Sequence, residues 1–261
     1  MDKRKVGDVP RVKRWSPPAR LKKPIRGVLS RFGFELVRLR RPHTRFLQQL
    51  LQERAINFLL DVGANQGQYA IRMRALGYHD RLHSYEPGAE AFRLLSKHAH
   101  GDALWQVFHC ALGATDETRL LHVSRDSVSS SLLRVTAPHI RAAPDSVIAH
   151  TESVTIQRLD TVLHLATSDR VWLKMDTQGS ELDVLLGATE ALKQVEVVQS
   201  EISLVPCYDG QSDYTDILDT LHLAGFRLVF VEPGTQQLDT GELLQFDGIF
   251  ARALPHEPTR G

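Results

Sequence analysis

Short apolar runs alternate with helical periodicities along residues 46–252, and this alternation constrains the fold more than any other feature. Residues 57–63 form an apolar run that a glycine ends, and residues 66–76 follow with helical spacing. The same order recurs at residues 171–176 and 181–193. Alternation of strand and helix at this spacing is typical of a parallel sheet with helices on both faces.

The last two predicted strands depart from that order. Residues 226–231 and 248–253 are apolar runs without a helix between them, and Pro233 and Gly234 follow the first of them. Turn residues between two strands favour antiparallel pairing. The predicted fold class is therefore α/β, with a Rossmann-like sheet that is mostly parallel and has an antiparallel last strand.

The charge distribution divides the chain. Residues 1–45 contain 15 Lys and Arg against 3 Asp and Glu, whereas the remaining 216 residues contain 17 against 28. We therefore expect a basic N-terminal extension over residues 1–45, one folded domain over residues 46–252 and a short C-terminal tail over residues 253–261.

The basic extension has three interpretations. Phe32, Phe34 and Leu36 lie close to arginines, and a basic segment with interspersed apolar residues can bind an anionic membrane surface. The extension could instead contact nucleic acid, or pack as a plain arm.

Other features limit the protein class. No run of about 18 apolar residues is present, so a membrane-spanning helix is not expected. The charged start of the chain does not resemble a secretory signal peptide. Cys110 and Cys207 match no C-x-x-C or zinc spacing. These features predict a cytoplasmic protein, which is membrane-associated if the extension binds lipid.

The junction after the first strand is the expected ligand site, because ligands bind at the carboxyl ends of parallel strands where strand order reverses. It reads Asp61-Val62-Gly63-Ala64-Asn65-Gln66-Gly67. Neither the G-x-G-x-x-G dinucleotide fingerprint nor a Walker loop with G-K-[ST] is present. Gly63 and Gly67 allow the backbone to approach a ligand without a Cβ in the way.

A carboxylate follows at a suitable distance, since Glu86 lies 19 residues after Gly67 at the end of the predicted second strand. The glycine pattern with this later acid resembles the nucleotide loop of class I S-adenosylmethionine-dependent methyltransferases. The resemblance implies S-adenosylmethionine as cofactor, with its ribose hydroxyls on Glu86. It assigns further cofactor contacts to Asp61, Gly63, Asn65 and Gly67. The alternative is a tight strand–helix turn beside a surface acid.

Further motifs resemble one methyltransferase family. They are LKMDTQGSE at residues 173–181, SEISLVPCY at 200–208, LQFDGIF at 244–250, ALG at 111–113 and SSSLL at 129–133. Together they are similar to the FkbM family over roughly residues 46–252. The resemblance implies the class I methyltransferase fold and O-methylation of hydroxyls on sugars, glycolipids or polyketides. It adds Ala111 to the cofactor contacts and Ser130 to the substrate contacts.

Methyl transfer to oxygen needs an acceptor held in line and a base for the hydroxyl proton. Asp176 ends the predicted fourth strand beside the cofactor crevice, and Glu201 interrupts an apolar strand, where an unpaired carboxylate would be costly. We expect both to be catalytic, as base or in positioning the acceptor. Alternatively, Asp176 orders its loop or binds the cofactor, and Glu201 lies at an exposed strand end.

Glu181 and Ser130 are the candidate substrate-binding residues, and each has a structural alternative. Glu181 opens a predicted helix, where a carboxylate complements the helix dipole. Ser180 and Asp183 also match an S-x-x-D capping pattern. Ser130 belongs to residues 127–131, which would otherwise be a polar surface connection.

The sequence thus predicts an S-adenosylmethionine-dependent O-methyltransferase with a small-molecule, glycan or glycolipid acceptor. We expect no metal, although Asp176, Glu181 and Glu201 carry the oxygen ligands that a divalent cation prefers. One alternative is a methyltransferase of RNA or protein that the basic extension recruits. The motif at residues 176–179 disfavours nucleic acid, because it differs from the N-P-P-Y-like sequence of nucleobase amino-methyltransferases. Another alternative is a cofactor-binding module without chemistry, and no oligomeric state is predicted.

Overall fold

The computed structural model describes residues 42–237 and 240–253. The helices and strands are, in chain order, α1 (Pro42–Glu53), β1 (Phe58–Val62), α2 (Gln68–Ala75), β2 (Arg81–Tyr85), α3 (Ala89–Ala99), β3 (Trp105–Phe108), β4 (Ala111–Leu112), β5 (Glu117–Ser124), α4 (Ala137–Ala142), β6 (Ile148–Gln157), α5 (Leu159–Val162), β7 (Val171–Met175), α6 (Glu181–Leu186), β8 (Val195–Ser203), α7 (Tyr214–Leu223), β9 (Phe226–Pro233) and β10 (Gln245–Arg252). Most of the basic extension lies outside the described residues, so its predicted roles stay predictions. Within the described part of the chain, no helix has both the length and the apolar character that crossing a bilayer requires.

Seven strands form the main sheet, in the order β3-β2-β1-β7-β8-β10-β9. All neighbouring pairs are parallel except those of β10, which runs antiparallel to both β8 and β9. The predicted α/β class, including the antiparallel last strand, is confirmed. Strand order reverses between β1 and β7, so the carboxyl ends of these two strands flank the crevice where such sheets bind ligands.

Helices cover both faces of the sheet. On one face, α1, α2 and α3 pack through residues such as Leu47, Met73 and Leu95, all fully buried. On the other face, α6 and α7 pack through residues such as Leu185 and Leu221. Burying one such side chain contributes about 1.5–3 kcal/mol, which fixes the helices against the sheet and thereby the turns that leave its carboxyl edge.

A second sheet, ordered β4-β6-β5, stands apart from the main one. The sequence predicts β5 at residues 119–123 but not β6, because only Val154 and Ile156 in its last part are buried and residues 150–153 are polar. β5 ends at Ser124 and leads into residues 125–132, which reach the functional site.

The predicted helix over residues 181–193 is wrong in extent, since α6 ends at Leu186. Two contacts explain the break. The Gly187 carbonyl accepts a hydrogen bond from the Asp160 N–H (3.0 Å), and a Cβ at Gly187 would overlap the carbonyl of Gly113. The Asp160 carboxylate then accepts from the N–H groups of Glu190 (3.0 Å) and Ala191 (2.9 Å), which starts a separate 3₁₀ turn.

Candidate functional site

The turn between β1 and α2 crosses the end of β7 at very short range. Gly63 has a φ of +71°, and a Cβ there would overlap the carbonyl oxygen of Asp176. Only glycine therefore fits at this crossing. Gly67 also has a positive φ, +88°, but its missing Cβ points elsewhere, 2.9 Å from Leu95 Cδ1 and 3.0 Å from the Trp105 ring. Packing against Leu95 and Trp105 accounts for a glycine at position 67, where a contact with the ligand is the expectation from the sequence.

Glu86 follows β2 and holds the same turn. Its Oε2 accepts the Asn65 N–H (2.7 Å), and its Oε1 accepts the Gly88 N–H (2.8 Å). Asn65 itself has a φ of 48°. Burial raises the pKa of Glu86 to about 7, against the opposing effect of the two N–H donors. Each carboxylate oxygen keeps a lone pair for a further donor.

A first cleft opens beside this turn, with about 540 Å³ of space including the part open to solvent. The cleft contains six of the predicted site residues: Gly63, Asn65, Glu86, Ala111, Ser130 and Asp176. Apolar side chains of Leu112, Leu121 and Leu132 also line it.

Residues 125–132 form one wall of the first cleft and are held by their own side chains. The Asp126 carboxylate accepts from the Ser124 hydroxyl (2.7 Å) and the Ser129 N–H (3.0 Å). The Ser130 hydroxyl accepts the Ser124 N–H (3.1 Å). The Ser131 hydroxyl donates to the Gln178 carbonyl (2.6 Å), which ties this wall to the turn after β7.

A buried lysine connects the first and fourth parallel strands. Asp61 on β1 and Lys174 on β7 are register partners, and Lys174 Nζ lies 3.3 Å from Asp61 Oδ1. Burial raises the pKa of Asp61; it would lower the pKa of Lys174, but Asp176 and Asp61 outweigh it and raise that pKa. Asp61 is fully buried and lies outside the first cleft, so its link to the site runs through Lys174.

Asp176 is more exposed than the other predicted site acids, with 40% of its side chain accessible. Gln178 Nε2 donates to its Oδ1 (2.7 Å), and Lys174 Nζ lies 3.5 Å from its Oδ2. Both oxygens thus have a fixed partner that orients the carboxylate, and lone pairs remain for a ligand.

Glu201 lies behind Asp176 and shares a partner with it. Gln178 Nε2 reaches Glu201 Oε2 at 3.2 Å, and Gln245 Nε2 donates to the same oxygen at 3.0 Å. Burial, reinforced by Asp176 and Glu181, raises the pKa of Glu201 to about 9. Burial and the nearby carboxylates thus favour the neutral form of Glu201.

Glu181 is buried and organises the turn after β7. Its carboxylate accepts the N–H groups of Thr177 (2.8 Å) and Gly179 (3.0 Å), and it does not line the first cleft. The expected S-x-x-D cap is wrong: Ser180 makes no side-chain bond to the helix, and its buried hydroxyl has no partner within the described residues.

A second cleft lies on the other side of the β1–α2 turn and shares Gly63, Asn65, Val128 and Asp176 with the first. The remaining residues of this cleft are Ala64, Gln68, Tyr69, Arg72, Lys174, Gln199 and Asp247. None of these seven was among the predicted site residues. A signal does exist in the sequence, because Lys174 is the polar residue of the otherwise apolar strand β7, and Gln199 and Asp247 directly follow apolar residues in β8 and β10.

Among the residues that the structure describes, no group of three His, Cys, Asp or Glu side chains is placed to hold a metal ion. The three acids considered in the sequence analysis have other partners: Lys174 and Gln178 for Asp176, the turn backbone for Glu181, and two glutamines for Glu201.

Comparison with known proteins shows that the chain matches one protein family and is similar to a characterised methyltransferase. A model of the methyltransferase FkbM domain matches residues 61–228. The 2-O-methyltransferase NoeI of Sinorhizobium fredii (strain NBRC 101917 / NGR234) is 27% identical over 188 residues, which cover 69% of this chain and 76% of that protein.

Solved structures resemble the chain at lower identity. An rRNA methylase from Streptococcus thermophilus has a TM-score of 0.45 at 10% identity and covers 84% of this chain and 100% of its own. The magnesium protoporphyrin IX methyltransferase of Synechocystis PCC 6803, with bound SAM, has a TM-score of 0.44 at 9% identity. The match covers 89% of this chain and 97% of that protein. Similarities this distant do not indicate a substrate.

Proposed function

Because the chain belongs to the FkbM methyltransferase family, we propose that it transfers a methyl group to a hydroxyl of a glycan, a glycolipid or a related natural product. The protein is a methyltransferase, and its cofactor is S-adenosylmethionine. The similarity to a 2-O-methyltransferase supports oxygen as the acceptor atom.

The first cleft fits this cofactor. Glu86 has a free lone pair on each oxygen for the two ribose hydroxyls, and its N–H partners keep it in place. Ala111 and the apolar side chains of the cleft suit the adenine, and the backbone at Gly63 and Asn65 suits the amino-acid end. When bound, the cofactor supplies an electrophilic methyl group on a positively charged sulfur.

Asp176 carries the proposal, because it is the exposed, oriented carboxylate that both clefts share. A donor in the first cleft and an acceptor in the second would meet beside it. The methyl group would leave a neutral thioether on the cofactor as its bond to sulfur is replaced by one to the acceptor oxygen, and Asp176 would take the hydroxyl proton. Gln178 and Lys174 keep the two Asp176 oxygens in position. Glu201 acts as a positioning residue through Gln178, which bonds both acids.

The basic residues 1–45 would bring the enzyme to an anionic membrane surface when the acceptor is a glycolipid. Fifteen Lys and Arg in this segment support the idea, since each basic residue near such a surface contributes about 1 kcal/mol. The charge of the extension is the observation behind this part of the proposal.

A labelled-methyl assay tests the proposed function. The full chain is incubated with methyl-labelled S-adenosylmethionine and, in parallel, oligosaccharides, glycolipid extracts, RNA and a protein extract. We expect label in a carbohydrate-containing fraction. Label in RNA or protein alone would replace the proposed acceptor with a macromolecule. A folded protein that binds no cofactor would contradict the enzyme assignment itself.

A further inference from the structure

The second cleft contains polar groups that the fold itself does not use. Its location beside Asp176 makes it the acceptor side of the reaction if the proposed function holds, and the inference below rests on that function. The hydrogen-bonding groups that the cleft leaves free indicate which class of methyl acceptor it can bind.

Gln199 supplies a free donor. Its side chain is almost completely buried on β8, with 4% of the residue exposed. The Tyr69 hydroxyl donates to Gln199 Oε1 (2.8 Å) and so fixes which end of the amide faces which way. Gln199 Nε2 has no hydrogen-bond partner within the described residues, and Gln199 lines the second cleft. The amide is therefore oriented by Tyr69, and its N–H groups are left for a ligand or water in the cleft.

Asp247 supplies a free acceptor. It lies on β10 in the wall of the same cleft, and its carboxylate makes no hydrogen bond or ion pair within the described part of the chain, although the charges of Lys174 and Arg72 act on it. Burial, reinforced by Asp176, raises the pKa of Asp247 to about 6. The group is therefore mostly ionised at neutral pH and accepts hydrogen bonds only.

The two groups are diagonal neighbours on adjacent antiparallel strands. Gln199 is the register partner of Ile249, and Glu201 is the register partner of Asp247. Diagonal positions of this kind lie roughly 7–8 Å apart, which is close to the span of one six-membered ring with its substituents. A donor and an acceptor at that separation can each take a different hydroxyl of the same ring.

The rim of the cleft continues this polar character. Arg72 keeps further N–H groups after its contact with His43 Nδ1 (2.9 Å). Gln68 Nε2 donates to Asn65 Oδ1 (3.3 Å), so its own carbonyl oxygen stays available. Val128, which is 54% exposed, is the large aliphatic side chain of the lining. An extended aromatic acceptor would leave these polar groups unpaired, whereas hydroxyl groups satisfy both donors and acceptors.

We propose that the second cleft binds one polyhydroxylated ring of the acceptor, with Asp247 accepting from one hydroxyl and Gln199 donating to another, while a third hydroxyl faces Asp176. Tyr69 is a positioning residue, because it acts through the amide of Gln199. The sugar-like ring is thus recognised by strand side chains, separately from the cofactor.

Saturation-transfer NMR with S-adenosylhomocysteine-loaded protein and a panel of methyl glycosides tests this site. The variants are Asp247→Asn, which keeps the shape but removes the charge, Gln199→Leu, and Tyr69→Phe. Asp209→Asn is the matched control, since Asp209 is exposed and lines neither cleft. Calorimetry with S-adenosylhomocysteine is the second measurement on every variant.

We expect at least one methyl glycoside to bind the wild-type protein and the Asp209→Asn control. Asp247→Asn and Gln199→Leu should each weaken that binding about tenfold or more, as expected for loss of one hydrogen bond in a desolvated site. Tyr69→Phe should weaken it less. Affinity for S-adenosylhomocysteine should stay within about threefold in all four variants, a change below the roughly 1.4 kcal/mol of a tenfold difference.

Two results would overturn the acceptor site without touching the proposed function: glycosides that bind Asp247→Asn as well as wild type, or loaded wild-type protein that binds no glycoside at all. If Gln199→Leu does not fold, Asp247→Asn decides alone, because the Asp247 side chain makes no hydrogen bond or ion pair within the described residues. Failure of wild-type protein to bind S-adenosylhomocysteine would instead contradict the proposed function.

Discussion

The two clefts that meet at Asp176 are built in different ways. The first cleft is defined mainly by backbone groups. The backbone at Gly63 packs directly against the Asp176 carbonyl, and two backbone N–H groups fix Glu86. In the second, Gln199 Nε2 and the Asp247 carboxylate project from strands without a partner in the described residues. A backbone-built site suits a ligand that stays constant across a family, whereas side chains on strands can change with the acceptor and leave the fold intact.

The largest expected effect on stability and cofactor binding comes from a substitution at Gly63, where the β1–α2 turn crosses the end of β7. Gly63→Ala adds a Cβ that overlaps the Asp176 carbonyl at a φ of +71°. We expect a loss of about 3 kcal/mol or more in the free energy of unfolding and no measurable S-adenosylhomocysteine binding. Urea unfolding and calorimetry check this.

Gly210→Ala is the control for that variant. Gly210 has a φ of +79° with nothing within 4 Å of an added Cβ, so it isolates backbone strain of about 1–2 kcal/mol. Equal losses in the two variants would show that the crossing at Gly63 is not tight.

Asp176→Asn tests the residue that both clefts share. The amide keeps the shape but cannot take a proton, so methyl transfer should fall about 10²–10⁴-fold while affinity for the cofactor changes little. The labelled-methyl assay and calorimetry together separate the two quantities. Normal turnover would remove Asp176 from the chemistry.

Glu86→Gln affects the first cleft alone. A carboxamide cannot accept both backbone N–H bonds and both ribose hydroxyls, so we expect about tenfold weaker binding of S-adenosylhomocysteine by calorimetry. Glycoside binding should persist. Glu90→Gln provides the control, because Glu90 is exposed and pairs with Arg93 at the surface. An unchanged affinity in Glu86→Gln would place the ribose elsewhere.

The two clefts should also differ in their pH dependence. Burial raises the pKa of Glu86 from 4.5 to about 7 and that of Asp247 from 3.8 to about 6. The folded state therefore holds more protons than the unfolded state in these windows, and each group lowers stability as pH rises through its window. The free energy of unfolding, measured with urea from pH 4 to 8, should decline as pH rises. Glu86→Gln should make this decline shallower up to about pH 7, and Asp247→Asn should make it shallower up to about pH 6. Parallel curves for both variants and wild type would contradict these shifts.

The smallest effect is expected outside both clefts. Deleting residues 2–40 should leave transfer to a water-soluble acceptor unchanged and reduce binding to phosphatidylglycerol vesicles, because the basic charge is lost. Phosphatidylcholine vesicles serve as control in a sedimentation assay. Equal binding of the full and shortened chains to anionic vesicles would exclude the extension as a membrane contact.

The fold and the first cleft could be predicted because their causes are local in sequence. Glycines at Gly63 and Gly67 mark a turn with positive φ, and the apolar runs before them mark buried strands. Even so, the reason for Gly67 was out of reach, since Leu95 and Trp105 approach it only in the folded chain.

The second cleft could not be predicted, because its polar residues come from separate strands and become neighbours only through the sheet register. Lys174 pairs with Gln199 across β7 and β8, and Asp247 reaches the same edge on β10. Tyr69 lies within the predicted helix over residues 66–76, and helical spacing does not reveal that its hydroxyl bonds Gln199. The sequence indicates this site only through polar residues that recur at alternate positions near the ends of strands.

A crystal structure of the protein with S-adenosylhomocysteine and a methyl glycoside tests the central claim most directly. The account predicts the ribose hydroxyls on Glu86, the sulfur near Asp176, and the glycoside against Asp247 and Gln199. A nucleoside in the second cleft, or a first cleft left empty at saturating S-adenosylhomocysteine, would contradict it.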